Sequence, residues 1–450
     1  MRVVLTKSSL AKILLVFSIF VAVFISYNTF FQVYTLGLFV ASFLLRKRWL
    51  AWNRYFSLEI LFIFYVFIQY LFEITLSPEL TGAALRRLVF NLLYEVAVYN
   101  LLIALMDEKD KKQIRIVPGE MVDHFSKAYT MAVLLLTFFG LITGEIFSRR
   151  FSTDNMDISI LGLKLSVGGG TTVGYLAAIT FGTLMIMYYG TNLKRYGIFS
   201  LIAFAVILLS GTRKVLLLAA VMFVITSVYR KKSVKRFFYI LAIIAGAALL
   251  FLMIMKIPRL YEVIGARVER VLTGLFQGEI IDHSLNLRHN MRDTAFQMFQ
   301  SHPVTGCGLN TFTLFYLDGS VVYCHNNYLE ILSGTGVIGG VLFFSKFIYL
   351  LGCLIGNVRR SKDELKRYYA VSVLGMFLTI LVMEYWQVSY HRIQFLLIYV
   401  CMLLMCRATA RDKYADVEIR DIETEDKKAG KKEQHFKFRR SFDRTGYRVK

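Results

Sequence analysis

The sequence predicts an all-α polytopic membrane protein, and two observations carry that expectation. Apolar residues make up 56% of the 450-residue chain against 19% charged, with a mean hydropathy of +0.54, a balance far from that of a soluble domain. The apolar residues are also gathered into about twelve segments separated by polar or basic stretches, each near the length a membrane helix needs. A helix requires roughly 20 mostly apolar residues to cross about 30 Å of hydrocarbon, because every backbone polar group must be satisfied within the segment.

The segments run from Ala11 to Ser26, Phe30 to Leu45, Phe56 to Phe72, Ala83 to Met106, Tyr129 to Phe147 and Thr172 to Tyr189. They continue from Tyr196 to Leu209, Val215 to Tyr229, Phe237 to Met255, Val337 to Ile355, Tyr369 to Trp386 and Ile393 to Cys406. The first is flanked by Lys7 and Lys12 like a secretory leader. It lacks a small-residue cleavage site and a second segment follows at once, so it is expected to be retained.

Most of the 53 basic residues fall on alternate connections and in the tail. The positive-inside rule then puts both termini in the cytoplasm with an even number of spans. The expected division is spans one to nine over 1–255, one large extracytoplasmic loop over 256–336, spans ten to twelve over 337–406, and a basic, unstructured cytoplasmic tail over 407–450. The formal charge of +22 is on this view a topology signal. The tail suits contact with anionic headgroups; nucleic-acid binding is set aside, since Phe436, Phe438, Phe442 and Tyr447 form no recognisable stacking motif.

Charges inside spans cost a few kcal/mol or more at mid-bilayer and normally face a bundle interior or an aqueous cavity. Arg86 and Arg87 stand at the outer end of the fourth span, Glu95 lies deeper in it, and Glu59 and Glu73 flank the third. Snorkelling is expected for the end residues, and an internal salt bridge or a substrate-cavity lining for the deeper ones. Lys346, in the tenth span, is expected to partner one of these acids.

The expected outer face gathers the chemistry. Five of the seven histidines fall there: His283, His289, His302, His325 and His391. The turn Ser210-Gly211-Thr212-Arg213-Lys214 joins two spans, with its glycine allowing a sharp bend and its hydroxyls available to cap the next helix. Cations at a helix N-terminus oppose its partial positive charge, which favours an anion between them. In the long loop, Leu287, Met291, Ala295, Met298 and Phe299 recur at helical spacing, predicting an amphipathic helix through Gln300 stopped by Pro303. Arg288 and Arg292 are i,i+4 neighbours on it, again a pair that an anion would reconcile. Pro303 to Phe312 predicts a glycine-punctuated turn, and Asn327 with Glu330 predicts a capping box opening the helix that leads into span ten through Gly334, Gly336, Gly339 and Gly340. His325 stands just before that helix.

Taken in order, the Ser-Gly-Thr-Arg turn, Arg288, the segment His302-Pro303-Val304-Thr305-Gly306-Cys307-Gly308-Leu309-Asn310-Thr311-Phe312, and His325-Asn326-Asn327-Tyr328-Leu329 before Gly334-Thr335-Gly336 resemble the O-antigen ligase and polymerase superfamily. The ordered motifs cover roughly Thr172 to Gly340. The resemblance implies a GT-C-like architecture and an inverting, metal-independent glycosyltransferase. Such an enzyme would move glycan from a polyprenyl-diphosphate-linked oligosaccharide donor to a glycan acceptor hydroxyl at the outer face of the bacterial cytoplasmic membrane. On that reading Arg213 and Arg288 stabilise the diphosphate leaving group, and His325 positions the acceptor hydroxyl or takes its proton. Arg86, Arg87, Lys214, Arg292, Asn326 and Tyr328 are further substrate-binding candidates. A chain-length regulator and a flippase are candidate partners beside the bilayer itself.

The chain departs from the family pattern at Arg292, where an aromatic residue is common, and at Lys214, where a small residue is usual. Extra positive charge fits a more acidic glycan, and a local salt bridge of Arg292 with Asp293 or Asp282 fits equally. No metal site or cofactor motif is evident; Asp282, Glu279 and Asp318 are scattered, and no His or Cys pair has ligand spacing. Cys307 and Cys324 could pair, but packing as small residues is the expectation. Repeat-unit polymerisation is the leading expectation, with a ligase and then a lipid-linked oligosaccharide flippase as alternatives. Transporters commonly carry internal repeats, and the halves of this chain show none.

Overall fold

The computed structural model describes residues 7–25, 28–46, 50–111, 118–148, 151–152, 159–160, 163–164, 168–229, 233–266, 268–270, 273, 283–315 and 323–407. The expected tail beyond Arg407, and the acids Glu279, Asp282 and Asp318, lie outside the described residues.

The apolar segments fold as helices: α1 (Lys7–Phe24), α2 (Thr29–Arg46), α3 (Arg54–Leu71), α4 (Pro78–Lys111), α5 (Pro118–Ile142), α6 (Gly170–Thr191), α7 (Lys194–Leu209), α8 (Arg213–Val228) and α9 (Ser233–Lys256). After the polar connection come α10 (His283–Ser301), α11 (Asn327–Arg360), α12 (Glu364–Met383) and α13 (Ile393–Arg407). Helices α3, α4, α5, α6, α11 and α12 are long and apolar enough to cross a membrane by length and composition, and α1, α2, α9 and α13 contain shorter apolar helical stretches. Helices α7 and α8 have 16 residues each. Apart from an antiparallel pairing of Ser159 with Lys164 and Ile160 with Leu163, the described residues are helical or irregular. This is the architecture of a polytopic membrane protein.

Helix α6 is the centre of the bundle. It is apolar on all sides, as a fully enclosed helix must be, and is almost wholly buried against α5, α7, α8 and α12. Helix α10 is amphipathic as its spacing predicts, and packs on α11. Its stripe of Met291, Ala295 and Met298 closes over Cys307, Phe312 and Cys324, a small core separate from that of the bundle.

The glycine motifs form one interlock. Helix α11 is broken at Gly336, whose φ of +62° takes the backbone out of the helical path. The loop 303–308 fills the break: Cys307 N–H donates to Ser333 O and Gly308 N–H to Gly334 O (both 2.8 Å), while Val337 N–H donates to Pro303 O (2.8 Å). Backbone groups freed by a kink within a span need such replacements. Tyr65 and Gln69 of α3 add donors to Thr305 O, and Leu76 N–H donates to Cys307 O at 2.9 Å. The close approach expected of Gly334 and Gly336 is therefore to this loop rather than to another helix, since added Cβ atoms would press on Leu309 and overlap Val304.

Two capping expectations are corrected. Asn326, not Asn327, caps α11: its Oδ1 accepts from Tyr328 N–H (3.0 Å) and Leu329 N–H (3.2 Å). Glu330 reaches past the cap to accept from Cys324 N–H at 2.9 Å. At the turn before α8, Thr212 is the N-cap residue but makes no side-chain capping bond; its hydroxyl donates to Gly170 O and Ser210 O, both at 3.3 Å.

Lys346 pairs with Glu59 at 2.9 Å, both side chains only 1% exposed. Glu95 is fully buried, and its carboxylate oxygens have no hydrogen-bond partner among the described residues. Cys307 and Cys324 are both free thiols.

Candidate functional site

At one end of the bundle, Thr171, Thr172, Lys214, Arg288, Tyr323, His325, Gln387, Val388, Arg392 and Phe395 enclose a cavity of about 40 Å³. Such a space holds a few water molecules; a saccharide enters only if the lining side chains move apart. Four helices begin there. Thr171 and Thr172 lie in the first turn of α6, Lys214 is the second residue of α8, His325 stands two residues before α11, and Arg392 immediately precedes α13. Helix N-termini carry partial positive charge, and Lys214, Arg288 and Arg392 add three full charges. Among the described residues, no acidic side chain lines the cavity. Each cation next to a helix N-terminus opposes its partial charge by about 0.3–1 kcal/mol, and the same combination attracts an anion.

Each side chain is placed by an identifiable contact. Lys214 Nζ donates to Trp386 O in the turn that follows α12. Arg288 projects from α10, which the apolar stripe under it holds against α11. Arg392 donates from one terminal nitrogen to Thr172 Oγ1 (2.6 Å) and from the other to the Tyr323 hydroxyl (3.4 Å), with its guanidinium carbon 5.8 Å from the Tyr323 ring centre. These partners are neutral. Asn327 Oδ1 accepts from the backbone N–H groups of Ser389 and Tyr390, both at 3.3 Å, tying the connection that carries Arg392 to the residue two after His325.

His325 has φ +58°, a left-handed backbone that costs a non-glycine residue of order 1 kcal/mol or more and that the surrounding structure must impose. The cap by Asn326 and the bond from Cys324 N–H to Glu330 grip the chain on either side of it. Its half-buried ring meets Tyr323 edge-to-face, centroids 4.6 Å apart. Burial pushes its pKa down to about 3, and the charges of Arg288, Lys214 and Arg392 push in the same direction. The imidazole is therefore neutral at physiological pH, with an electron pair available for a proton.

The sequence-predicted residues do not all meet at the cavity. His325, Arg288 and Lys214 come together at the cavity. Arg213 opens α8 but is not among the lining residues; its neighbour Lys214 is. Arg292 parts from Arg288: its Nε donates to Arg288 O, a terminal nitrogen donates to the Tyr385 hydroxyl, and the guanidinium lies 5.3 Å from the Tyr385 ring centre. Asp293 pairs with His289 instead, at 2.7 Å. Asn326 is 1% exposed and used in capping, and Tyr328 donates to Leu381 O at 2.6 Å. Arg86 and Arg87 are exposed on α4. Arg87 is close enough to His391 to help lower its pKa to about 3, after burial and Arg392.

Arg392, Thr172, Tyr323 and Gln387 are the residues that sequence reasoning missed as site components. The available signal was a cation at the start of an apolar segment, the same signal that marked Arg213. The thiols are poor nucleophiles here: burial raises the pKa of Cys307, and burial with the nearby Glu330 raises that of Cys324. Among the described residues, no group of three or more His, Cys, Asp or Glu side chains is disposed to hold a metal ion.

No curated protein matches the chain. Residues 198–344 match the family described as O-Antigen ligase, a segment that contains Lys214, Arg288 and His325 together with the glycine interlock, while Thr172 and Arg392 lie outside it. The match over that segment supports a relationship to the O-antigen ligase/polymerase superfamily.

Proposed function

We propose that this protein polymerises polyprenyl-diphosphate-linked oligosaccharide repeat units into a surface polysaccharide, at the outer face of a bacterial cytoplasmic membrane. In this reading the chain crosses the bilayer about twelve times in a GT-C-like arrangement, both termini are cytoplasmic, and the connection between α9 and α11 is extracytoplasmic. Attachment of a finished glycan to a lipid or protein acceptor by the same chemistry is the second reading, favoured by the description of the matched family. The observation that carries both is the convergence of Lys214 and Arg288 with a neutral His325 on one small cavity.

The chemistry follows from those groups. The acceptor hydroxyl oxygen attacks the anomeric carbon from the face opposite the diphosphate. A new glycosidic C–O bond forms, and the old one breaks with its electron pair passing to the diphosphate oxygen. Lys214 and Arg288 meet the negative charge that develops there, by charge-assisted hydrogen bonds that need no proton transfer. The hydroxyl proton passes to the free nitrogen of His325. Burial opposes an imidazolium first and the cations add to it; once a diphosphate balances the cations, their part of the opposition falls and His325 becomes the better base. Binding of the donor thus prepares the proton acceptor.

The test is surface-glycan size by gel in a deletion strain complemented with wild type, His325→Ala, Arg288→Ala or Lys214→Ala, each at matched membrane level. Loss of the long-chain ladder, with single repeat units still exported, is the expected result. Accumulation of single units only in the cytoplasmic leaflet would replace the transferase with a transporter, and retention of the ladder in all three variants would overturn the site. Loss of attached glycan with full-length carrier-linked polymer would select the ligase.

A further inference from the structure

We propose that Arg392 is a third ligand of the donor's diphosphate, held for that purpose by Thr172 and Tyr323 in the wall of the cavity. The inference rests on the glycosyl-transfer reading and extends it to a residue outside the segment 198–344.

Three observations carry it. First, Arg392 lines the same small cavity as Lys214, Arg288 and His325, and its partners there are all neutral: the Thr172 hydroxyl, the Tyr323 hydroxyl and the Tyr323 ring face. Its guanidinium has no carboxylate within ion-pair distance among the described residues. A half-buried cation compensated only by dipoles beside two other cations retains most of its capacity for an anion. Second, the fork is oriented. Thr172 and Tyr323 each take one terminal nitrogen, which fixes the guanidinium plane, and a planar donor set of this kind matches phosphate oxygens in a way a lysine cannot. Third, the support is specific to this position. Asn327 spends both lone pairs of its Oδ1 on Ser389 and Tyr390 N–H, and Arg392 N–H donates to Ser389 O at 2.8 Å, so the short connection is locked to the histidine segment. Lys214, Arg288 and Arg392 come from α8, α10 and the start of α13. The anion they surround would hold three separate parts of the chain together.

The experiment uses the full-length protein in nanodiscs with inorganic pyrophosphate as probe, and orthophosphate and sulfate as controls, read by thermal shift and by calorimetric titration. Wild type, Arg392→Gln, Arg392→Lys, Thr172→Val and Arg288→Gln are compared, with Arg54→Gln as a cation change outside the cavity. Arg392→Gln is expected to weaken pyrophosphate binding roughly tenfold or more, as loss of a charge-assisted hydrogen bond does. Arg392→Lys keeps the charge without the fork and is expected to fall between Arg392→Gln and wild type. Thr172→Val, which leaves every charge in place, is expected to weaken binding a few-fold, and it carries the test if Arg392→Gln fails to fold. Unchanged affinity in Arg392→Gln, or in Thr172→Val and Arg392→Lys together, overturns the role of Arg392 while a loss in Arg288→Gln leaves the transferase reading standing. Wild type that binds pyrophosphate no better than sulfate overturns both.

Discussion

The Asn327 side chain accepts the backbone N–H of Ser389 across 62 residues of sequence, and by this bond the histidine segment and the arginine segment of the site share one anchor. Removing it with Asn327→Ala leaves the N–H groups of Ser389 and Tyr390 buried without that acceptor, at about 1–3 kcal/mol. It also frees Arg392 from its register with His325. Misplacement of a reacting or binding group by about 1 Å can cost a hundredfold in rate. The expected outcome is a loss of transfer of tenfold or more in a protein that still reaches the membrane. Asn326→Ala, which removes only the helix cap, is expected to cost about 1 kcal/mol of stability with a smaller effect on rate. A transfer assay on membranes normalised for protein level separates them, and equal rate losses would deny Asn327 a positioning role.

Acidification acts on His325 in a definite direction. The folded imidazole has a pKa of about 3, through burial first and then Arg288, Lys214 and Arg392, against an ordinary value near 6.5 in the unfolded chain. Between those values the unfolded state binds a proton that the folded state refuses, so stability is complete above about pH 6.5 and declines as pH falls toward 3. His391, also near 3, adds to the same trend. The thermal midpoint of wild type in nanodiscs should fall from about pH 7.5 to about pH 5, and that of His325→Gln should fall less steeply. Parallel slopes would show that His325 is not the group being titrated.

How much of this was legible in the sequence depends on the range of the interaction. Helix positions follow from apolar runs, and α10 from the spacing of Met291, Ala295 and Met298, because local periodicity encodes a buried face. The convergence of Arg288 and His325 was readable only through their order in a family pattern, since nothing local relates positions so far apart. Asn326 rather than Asn327 caps α11 because Asn327 is drawn to Ser389 and Tyr390, a tertiary competition no capping pattern contains. Arg292 was grouped with Arg288 by helical spacing, yet the Tyr385 ring, which arrives from the end of α12, takes it away. Lys346 was expected to pair with an acid, and the choice of Glu59 over Glu95 is a matter of three-dimensional packing. Arg392 has only the weak local signal of a cation before an apolar segment; its significance lies in its neighbours, Thr172 and Tyr323, which come from distant parts of the chain.

The glycine interlock makes a prediction about folding rather than chemistry. Gly308 has φ +95°, and an added Cβ would overlap the Thr75 hydroxyl; Gly336 has φ +62°, with the Val304 carbonyl in the way. Gly308→Ala and Gly336→Ala therefore combine backbone strain of about 1 kcal/mol or more with a clash against fixed backbone or a half-buried, hydrogen-bonded hydroxyl. Both should reduce the folded protein recovered in membranes severalfold. Gly246 in α9 has nothing within 4 Å of an added Cβ, and Gly246→Ala should be tolerated. Size-exclusion profiles of the detergent-extracted variants distinguish the cases, and normal yields for Gly308→Ala would show that the loop can leave the kink without penalty.

The buried pair of Lys346 and Glu59 gives the last prediction, because it has a sign that a surface pair would not. Both groups are 1% exposed and 2.9 Å apart, and Lys346 also lies 4.6 Å from the centre of the Phe343 ring. Removing one member leaves the other charged and uncompensated in an apolar interior, which costs about 3–5 kcal/mol, whereas replacing both by neutral groups of similar size is often close to neutral. Lys346→Met alone should therefore be strongly destabilising. Glu59→Gln in the Lys346→Met background should recover much of that loss, giving a large coupling in a double-mutant cycle read by thermal unfolding. Neither residue lines the cavity, so the transfer rate per folded molecule in the double variant should stay near that of wild type. Simple additivity of the two single losses would mean that the ion pair does not hold α3 to α11.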